Sequence, residues 1–197
     1  MKRALDLVVA AAVLLVLAPA LVVAAAAVGL TTGRPVLFRQ VRAGRNGVPF
    51  ELLKFRTMRD AAPGMAGPEH DLQRVTPIGQ LLRRTSIDEL PSLYNVLRGD
   101  MSLVGPRPLP LTYVERYTSE QARRLDVLPG LTGWAVVHGR NELGWDDRFL
   151  LDVWYVDHQS MLLDLRILLR TVGLVVRGSG VNHSETITMT EFGADRR

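Results

Sequence analysis

The hydrophobic pattern begins with a long apolar run. Residues from Ala4 to Leu30 are apolar or small except for Asp6, and about 20 such residues are enough for a helix to cross a bilayer. Pro19 follows Ala18 in the middle of the run, and an internal proline removes a helical hydrogen bond and clashes with the preceding turn. The run therefore predicts a membrane helix with a kink at Ala18-Pro19.

Three interpretations of this run are open: a cleaved signal peptide, a helix that spans the bilayer, and a re-entrant helix whose ends stay on one side. Basic residues flank the run on both sides: Lys2, Arg3, Arg34, Arg39, Arg42 and Arg45. Basic residues near a membrane segment mark its cytoplasmic side. Positive charge at both ends favours the re-entrant helix.

A β-hairpin is predicted after the apolar run. Val36 to Arg42 and Val48 to Phe55 have strand-like composition, and the Gly44–Gly47 segment between them is rich in turn residues. A loop with several glycines and prolines follows from Ala61 to Asp71. One hairpin among helices favours an α+β, mostly helical fold.

The helical predictions rest on spacing and on capping residues. Thr76 and Pro77 predict the start of a helix that ends at Arg84. A second helix carries apolar residues at the i, i+3, i+4 and i+7 positions and ends at Gly99. Further helices are predicted at Leu111 to Leu128, Arg148 to His158 and Met161 to Arg177, with a turn from Leu128 to Trp134.

The last predicted helix has two interpretations. Its leucines and valines alternate with Arg166, Arg170 and Arg177, a pattern typical of a helix on an anionic membrane surface. A core helix with snorkelling arginines has the same pattern. The polar tail from about Ser179 is expected to be loosely ordered. The predicted organisation is a membrane helix over 1–33 and one catalytic domain over 34–197.

The amino-acid composition limits the kinds of chemical site that the chain can contain. The net charge is +4, and Lys2 and Lys54 are the only lysines among 24 basic residues. Arginine binds phosphate through a forked pair of hydrogen bonds, although a GC-rich genome produces the same bias. The absence of cysteine excludes disulfides and thiolate sites, and the four histidines lack metal-ligand spacing.

The main chemical candidate is a tandem pair of acids, Asp88 and Glu89. Pro91 predicts a helix that begins near Glu89 or Leu90, with Asp88 at its positive N-terminus. There Asp88 is available as an ionised nucleophile, and the two carboxylates suit Mg²⁺ bridged to a substrate phosphate. The alternative is a capping box that begins at Ser86 and serves only to start the helix.

Several other charged residues strengthen the functional interpretation. Lys54 and Arg56 end the hairpin, and Arg84 precedes the acidic pair. Arg107 lies between two prolines that fix its backbone. Arg140 and Asp152 lie in and after a later loop. Basic groups around a tandem acid, beside a membrane segment, indicate phosphate chemistry at a membrane surface.

At these residues the chain resembles a known family, the small monotopic phosphoglycosyl transferases of the PglC type, which are bacterial sugar transferases. The resemblance runs through nearly the whole chain. It is carried by "KRALDLVVA", "PVLFRQVRAGRNGVPFELLKFRTM", "TPIGQLLRRTSIDELPSLYNVLRGDMSLVGPRP", "LPGLTGWAVVHGRN" and "LDVWYVDHQSMLLDLRIL".

The resemblance implies transfer of a sugar-1-phosphate from a UDP-sugar to undecaprenyl phosphate, with release of UMP. It makes Asp88 the nucleophile of a covalent phosphosugar intermediate and Glu89 its partner, with Mg²⁺ held by both. It implies further site residues at Lys54, Arg107, Arg140 and Asp152, and we predict that Arg56 and Arg84 bind the substrate phosphates with them. The family's membrane helix is re-entrant and broken at a Ser-Pro pair, where this chain has Ala18-Pro19.

The same resemblance implies an enzyme at the cytoplasmic face of the bacterial inner membrane, with interfacial helices around its catalytic core and no nucleic-acid partner. A homodimer and the identity of the sugar are open. The tail "VNHSETITMTEFG" is similar to that of members acting on N-acetylated amino sugars such as diacetylbacillosamine, with glucose and galactose as alternatives. The chain is expected to be a minimal catalytic unit. A membrane-anchored glycosyltransferase and a non-enzymatic scaffold are the rival functions.

Overall fold

The computed structural model describes residues 1–61, 70–139, 143–177 and 192–193. Its helices are α1 (Lys2–Thr31), α2 (Asp71–Arg74), α3 (Pro77–Arg84), α4 (Ser92–Arg98), α5 (Ser119–Ala122), α6 (Trp134–Val137), α7 (Trp145–Asp157) and α8 (Met161–Arg177). Its strands are β1 (Leu37–Ala43), β2 (Pro49–Phe55), β3 (Ser102–Val104) and β4 (Gly130–Thr132). Short 3-10 turns cover Arg45–Gly47, Ile87–Glu89, Leu111–Arg116 and Arg123–Leu125. The prediction of a mostly helical fold with a small hairpin is confirmed.

The apolar run forms α1, the one helix of the described residues that is long and apolar enough to cross a membrane. Its 30 residues rise about 45 Å along the axis at 1.5 Å per residue. The helix continues without interruption through Ala18 and Pro19. Its middle exposes apolar side chains, with Leu15 78% and Val16 74% accessible.

The N-terminal end of α1 is held by polar contacts. Lys2 Nζ lies 2.6 Å from Asp164 Oδ2 and donates to the Val104 carbonyl at 3.0 Å. Asp6 is buried and accepts from Ser102 Oγ at 2.9 Å and from the Leu103 amide at 3.1 Å. These contacts make α1 part of the folded core, which disfavours its removal as a signal peptide.

The C-terminal end of α1 is held by apolar packing instead. Ala24 and Val28 are buried in a cluster with Phe55 and Leu82. Small side chains let the helix approach β2 and α3 closely, and burial of apolar surface contributes about 25 cal/mol per Å². Both ends of α1 therefore contact the same body of the protein.

The hairpin pairs β1 with β2 in antiparallel register, Leu37 opposite Phe55 and Ala43 opposite Pro49. Asn46 adopts φ of 55° in the turn between them, a conformation that asparagine tolerates better than most residues. A second sheet, which the sequence did not predict, pairs β3 with β4 in parallel. Its Val104 is buried in the main core.

One predicted helix is wrong. The segment from Leu111 to Leu128 is divided into the 3-10 turn Leu111–Arg116, α5 and a second 3-10 turn. Thr118 ends the first part because it caps α5 in a complete capping box with Gln121. The predicted turn from Leu128 to Trp134 contains β4, whereas α8 has the predicted bounds.

Candidate active site

The acidic pair lies in the turn between α3 and α4. Ser86 has φ of 57° and makes no side-chain cap, so the predicted capping box is wrong. Asp88 and Glu89 form the 3-10 turn Ile87–Glu89, and α4 begins only at Ser92. Asp88 therefore lies outside the first turn of the α-helix, and the helix dipole is not the main influence on its charge.

Two buried polar side chains of α4 attach this turn to the hairpin. Ser92 Oγ donates to the Leu53 carbonyl at 2.6 Å. The Leu53 amide donates to Asn95 Oδ1 at 3.1 Å, and Asn95 Nδ2 donates to the Glu51 carbonyl at 2.8 Å. Because Lys54 directly follows Leu53 on β2, these bonds bring its side chain to the acidic pair.

Glu89 is the fixed member of the pair. Its Oε1 accepts from Lys54 Nζ at 2.7 Å and from an Arg107 guanidinium nitrogen at 2.6 Å. Burial alone would raise the pKa of Glu89, but the charges of Arg107 and Lys54 outweigh it and hold that pKa well below its usual range. Glu89 is thus ionised and is held in place by ion pairs with two cations.

Asp88 is in a different state although it is the next residue. Burial, and then the negative charge of Glu89, raise its pKa to about 6. Its side chain makes no hydrogen bond or salt bridge within the part of the chain that the structure describes. Above pH 6 the carboxylate is therefore ionised, with its oxygens available to a reacting phosphorus or a cation.

Arg107 is positioned through its backbone as well as by its flanking prolines. Its carbonyl accepts from Arg124 at 2.7 Å. Arg124 is itself buried and paired with Asp152, at 2.7 and 3.1 Å. Asp152, a predicted site residue, does not reach the acidic pair and instead holds the arginine that supports Arg107.

The sequence profile of the family described as bacterial sugar transferase matches residues 1–178. The chain belongs to the bacterial sugar transferase family. It is 47% identical to the sugar transferase EpsL of Bacillus subtilis over 192 residues, which cover 98% of this chain and 95% of that protein. The prediction of an enzyme of the sugar-phosphate transferase type is confirmed.

Two further relatives carry names that specify a reaction. The UDP-glucose:undecaprenyl-phosphate glucose-1-phosphate transferase of Caulobacter vibrioides is 46% identical, over 87% of this chain and 68% of its own length. The undecaprenyl-phosphate galactose phosphotransferase of Salmonella typhimurium is 36% identical, over 91% of this chain and 41% of its own length.

The remaining predicted residues of this sugar transferase lie at different distances from the pair. Arg56 is buried and donates to the carbonyls of Met58 and Arg34, so its hydrogen bonds support the chain after the hairpin. Arg84 is exposed on α3. Arg140 lies outside the described residues.

Arg83, the neighbour of Arg84, was not predicted from the sequence as a site residue. Its Nε donates to Thr57 Oγ1 at 2.9 Å. Burial lowers its pKa, and the charge of Asp88 opposes that effect, so the two side chains are electrostatic neighbours. A Cβ at Gly79 would lie 2.0 Å from the Thr57 carbonyl oxygen. Glycine there lets α3 approach the hairpin closely enough to place Arg83 beside the pair.

The donor set of the sugar transferase suits a hard cation. No group of three or more acidic or histidine side chains gathers anywhere in the described ranges. Mg²⁺ commonly takes one or two protein carboxylates and completes its shell with water and substrate phosphate. Asp88, which has no hydrogen-bonded partner among the described residues, and the second oxygen of Glu89 fit that pattern. The Mg²⁺ requirement stays a prediction.

Proposed function

We propose that this sugar transferase moves a hexose-1-phosphate from UDP-glucose or UDP-galactose to undecaprenyl phosphate and releases UMP. The names of the relatives from Caulobacter vibrioides and Salmonella typhimurium support the acceptor and the two sugars. They do not support the amino-sugar donor expected from the tail, of which the structure describes only Phe192 and Gly193. Glucose and galactose, the stated alternatives, fit those names better.

The observation that carries the mechanism is the contrast within the acidic pair. Glu89 is held by two cations and is a poor nucleophile because its charge is already shared. Asp88 has no such partner in the part of the chain that the structure describes, and its raised pKa of about 6 leaves it ionised and more basic at neutral pH. Environments that separate the pKa values of neighbouring acids assign them separate roles. Asp88 is the nucleophile and Glu89 the support.

The first half-reaction follows from this assignment. An Asp88 oxygen attacks the phosphorus that carries the sugar, and the bond from that phosphorus to the bridging oxygen breaks. The electron pair leaves with UMP, and the hexose phosphate stays on Asp88 as an acyl phosphate. Lys54, Arg83 and Arg107 reduce the repulsion between the carboxylate and the pyrophosphate. Mg²⁺ bound by Asp88 and Glu89 would polarise the same phosphate oxygens.

The second half-reaction returns the carboxylate. An oxygen of the lipid phosphate attacks the phosphorus of the intermediate, the bond to Asp88 breaks, and the product is a lipid diphosphate sugar. A covalent intermediate divides the transfer into two displacements at one carboxylate. The donor and the lipid acceptor then use the site in turn.

The contacts of α1 support attachment to one face of the membrane, with the cytoplasmic face of the inner membrane as the proposed site. A helix held at both ends by the same domain does not leave one end across a bilayer. Lys2 is bonded to Asp164 at one end, and Val28 packs on Leu82 at the other. The exposed apolar middle of α1 is then the part that enters the lipid, as a re-entrant helix would.

The outer face of α8 supports interfacial contact. Leu163 and Ile167 are buried, whereas Leu162, Leu169 and Val172 are 70%, 67% and 61% exposed. An apolar row on the outside of a helix that also carries arginines suits a membrane surface. With this row and α1 at the membrane, a lipid-anchored phosphate can reach the site.

Intact-protein mass spectrometry tests the proposal. Purified protein in nanodiscs is incubated with Mg²⁺ and UDP-glucose, UDP-galactose or an N-acetylated UDP-sugar, without lipid acceptor. We expect a mass increase of one hexose phosphate with UDP-glucose or UDP-galactose, and none for Asp88→Asn. Release of free UDP instead of UMP would favour the rival glycosyltransferase. An adduct only with the amino sugar would overturn the donor assignment.

A further inference from the structure

The side chain of Arg42 has no role in the mechanism described so far. It lies near the end of β1, where the strand is paired with β2 on one side and meets the segment after Arg107 on the other. Arg42 forms an isolated antiparallel bridge with Pro110, and the Ala43 amide donates to the Leu109 carbonyl at 3.0 Å. The hairpin thus carries Arg42 to the side of the Arg107 loop, on a different element from Lys54 and Glu89.

The hydrogen bonds of Arg42 leave its positive charge uncompensated. One terminal nitrogen donates to the Pro108 carbonyl at 3.3 Å, and the other to Gln40 Oε1 at 2.5 Å. Both acceptors are neutral, and no carboxylate of the described residues forms a salt bridge with Arg42. Among the described residues its buried Nε has no hydrogen-bond partner, and a buried donor left unpaired costs free energy.

The charges around Arg42 also favour the binding of an anion. Burial, followed by the like charge of Arg107, lowers the pKa of Arg42 to about 10, and Glu89 opposes this. Glu89, the carboxylate whose charge acts on Arg42, is already shared by Lys54 and Arg107. A half-buried cation beside a second cation is stabilised when an anion binds between or beside them.

We propose that Arg42 binds the phosphate of the departing UMP. Its guanidinium donates to the carbonyl of Pro108, the residue after Arg107, and Arg107 in turn contacts Glu89, the neighbour of the nucleophile. The bond between the sugar-bearing phosphorus and the bridging oxygen breaks in this step. Negative charge then develops on the phosphate of UMP. A forked cation at that position stabilises this charge. This assignment rests on the proposed function, because it takes a UDP-sugar as the donor.

UMP takes part only in the first half-reaction. A comparison of the two half-reactions therefore distinguishes phosphate binding by Arg42 from a structural role. Arg42 would act while UMP is present, in formation of the adduct, and would have no part when the lipid phosphate attacks. We expect Arg42→Gln to weaken UMP binding and to slow adduct formation by about 10- to 100-fold, the usual range for a hydrogen bond to a charged group. Transfer from a preformed adduct to undecaprenyl phosphate should be unchanged.

The matched control is Arg39→Gln on the same strand. Arg39 is exposed and pairs with the exposed Glu51 at 3.1 Å, so the same substitution there should alter neither half-reaction. Arg42→Lys keeps the charge without the planar fork, and should recover part of the UMP affinity. Calorimetry with UMP alone measures that affinity independently of turnover, and thermal unfolding shows whether each variant folds.

Unchanged UMP affinity in a folded Arg42→Gln would overturn the proposal. So would an equal loss in both half-reactions with Arg42→Lys no better than Arg42→Gln, because that result assigns Arg42 to bracing the Arg107 loop. If wild-type protein forms no adduct with any UDP-sugar, the proposed function fails. The UMP affinities of wild type, Arg39→Gln and Arg42→Gln still decide whether Arg42 binds a nucleotide phosphate.

Discussion

Two acidic clusters of this protein differ in how their carboxylates are satisfied. At the N-terminal end of α1, Asp164 accepts from Lys2 at 2.6 Å and from the Tyr155 hydroxyl at 2.6 Å, and Asp6 accepts two neutral donors. At the catalytic turn, Glu89 has two cationic partners and Asp88 has none among the described residues. Satisfied carboxylates hold elements together, whereas an ionised carboxylate without hydrogen bonds remains available for chemistry.

Asp88→Asn gives the largest expected effect and tests the catalytic side of this comparison. Loss of the nucleophile should reduce transfer by at least about 1,000-fold. The folded-state pKa of Asp88 lies above its usual value, so its contribution to stability is present at acidic pH and lost as pH rises through about 6. At pH 7.5 the variant should therefore unfold at no lower temperature than wild type. A large drop in melting temperature would contradict this.

Asp164→Asn tests the anchoring side. It leaves Lys2 without its carboxylate in a site where Asp164 is 2% exposed, and removal of one partner from a buried pair costs about 3–5 kcal/mol. The free energy of unfolding, measured with denaturant, should fall by that order. Glu51→Gln is the control, because Glu51 and its partner Arg39 are 47% and 63% exposed and exposed pairs contribute about 0–1 kcal/mol.

Gly79→Ala changes the surroundings of Asp88 and leaves the contacts of Lys2 unchanged. The new Cβ meets the Thr57 carbonyl oxygen, so α3 must shift and move Arg83. We expect a loss of about 1–3 kcal/mol in stability, typical of overpacking, together with slower adduct formation. Gly173→Ala in α8 is the control, because its Cβ meets nothing within 4 Å. Equal stability of both variants would refute the packing argument.

Glu89→Gln has a specific effect on titration, and it also lowers the free energy of unfolding because Lys54 and Arg107 lose their shared carboxylate. Glu89 raises the pKa of Asp88 by its charge, whereas Lys54 and Arg107 lower it. Without the Glu89 charge the pKa of Asp88 should fall below about 6, as followed by carboxyl NMR shifts in metal-free protein. Glu51→Gln is the exposed control. An unchanged or higher pKa would show that Glu89 does not act on Asp88 electrostatically.

Local signals predicted those parts of the structure that depend on neighbouring residues. The Thr76 hydroxyl accepts from the Gly79 amide at 3.0 Å, as the cap followed by proline indicated. The same logic failed at two other capping patterns. The pattern at Ser86 forms no cap, while the box at Thr118, which divides a predicted helix, was missed. Capping residues stabilise a helix only where the flanking backbone is free to adopt it.

Long-range contacts explain what could not be predicted. Parallel pairing of β3 with β4 joins Ser102 to Gly130, and no local pattern encodes that pairing. Arg83 and Arg84 are equally charged and adjacent, and only the close packing of α3 at Gly79 determines which of them reaches Thr57. The identity of the acidic pair was readable from sequence, but the difference between its two members depends on Lys54 and Arg107, from distant segments.

The attachment of α1 has a consequence for biosynthesis. Lys2 is bonded to Asp164, 162 positions later in the chain, and Asp6 to Ser102. The ribosome makes α1 before either partner exists, so its polar end stays unanchored until those partners have been made. Final closure waits for α8 to be made, and such distant pairings are slow to form. We therefore expect α1 to take its final place in the fold only after nearly the whole chain has been synthesised.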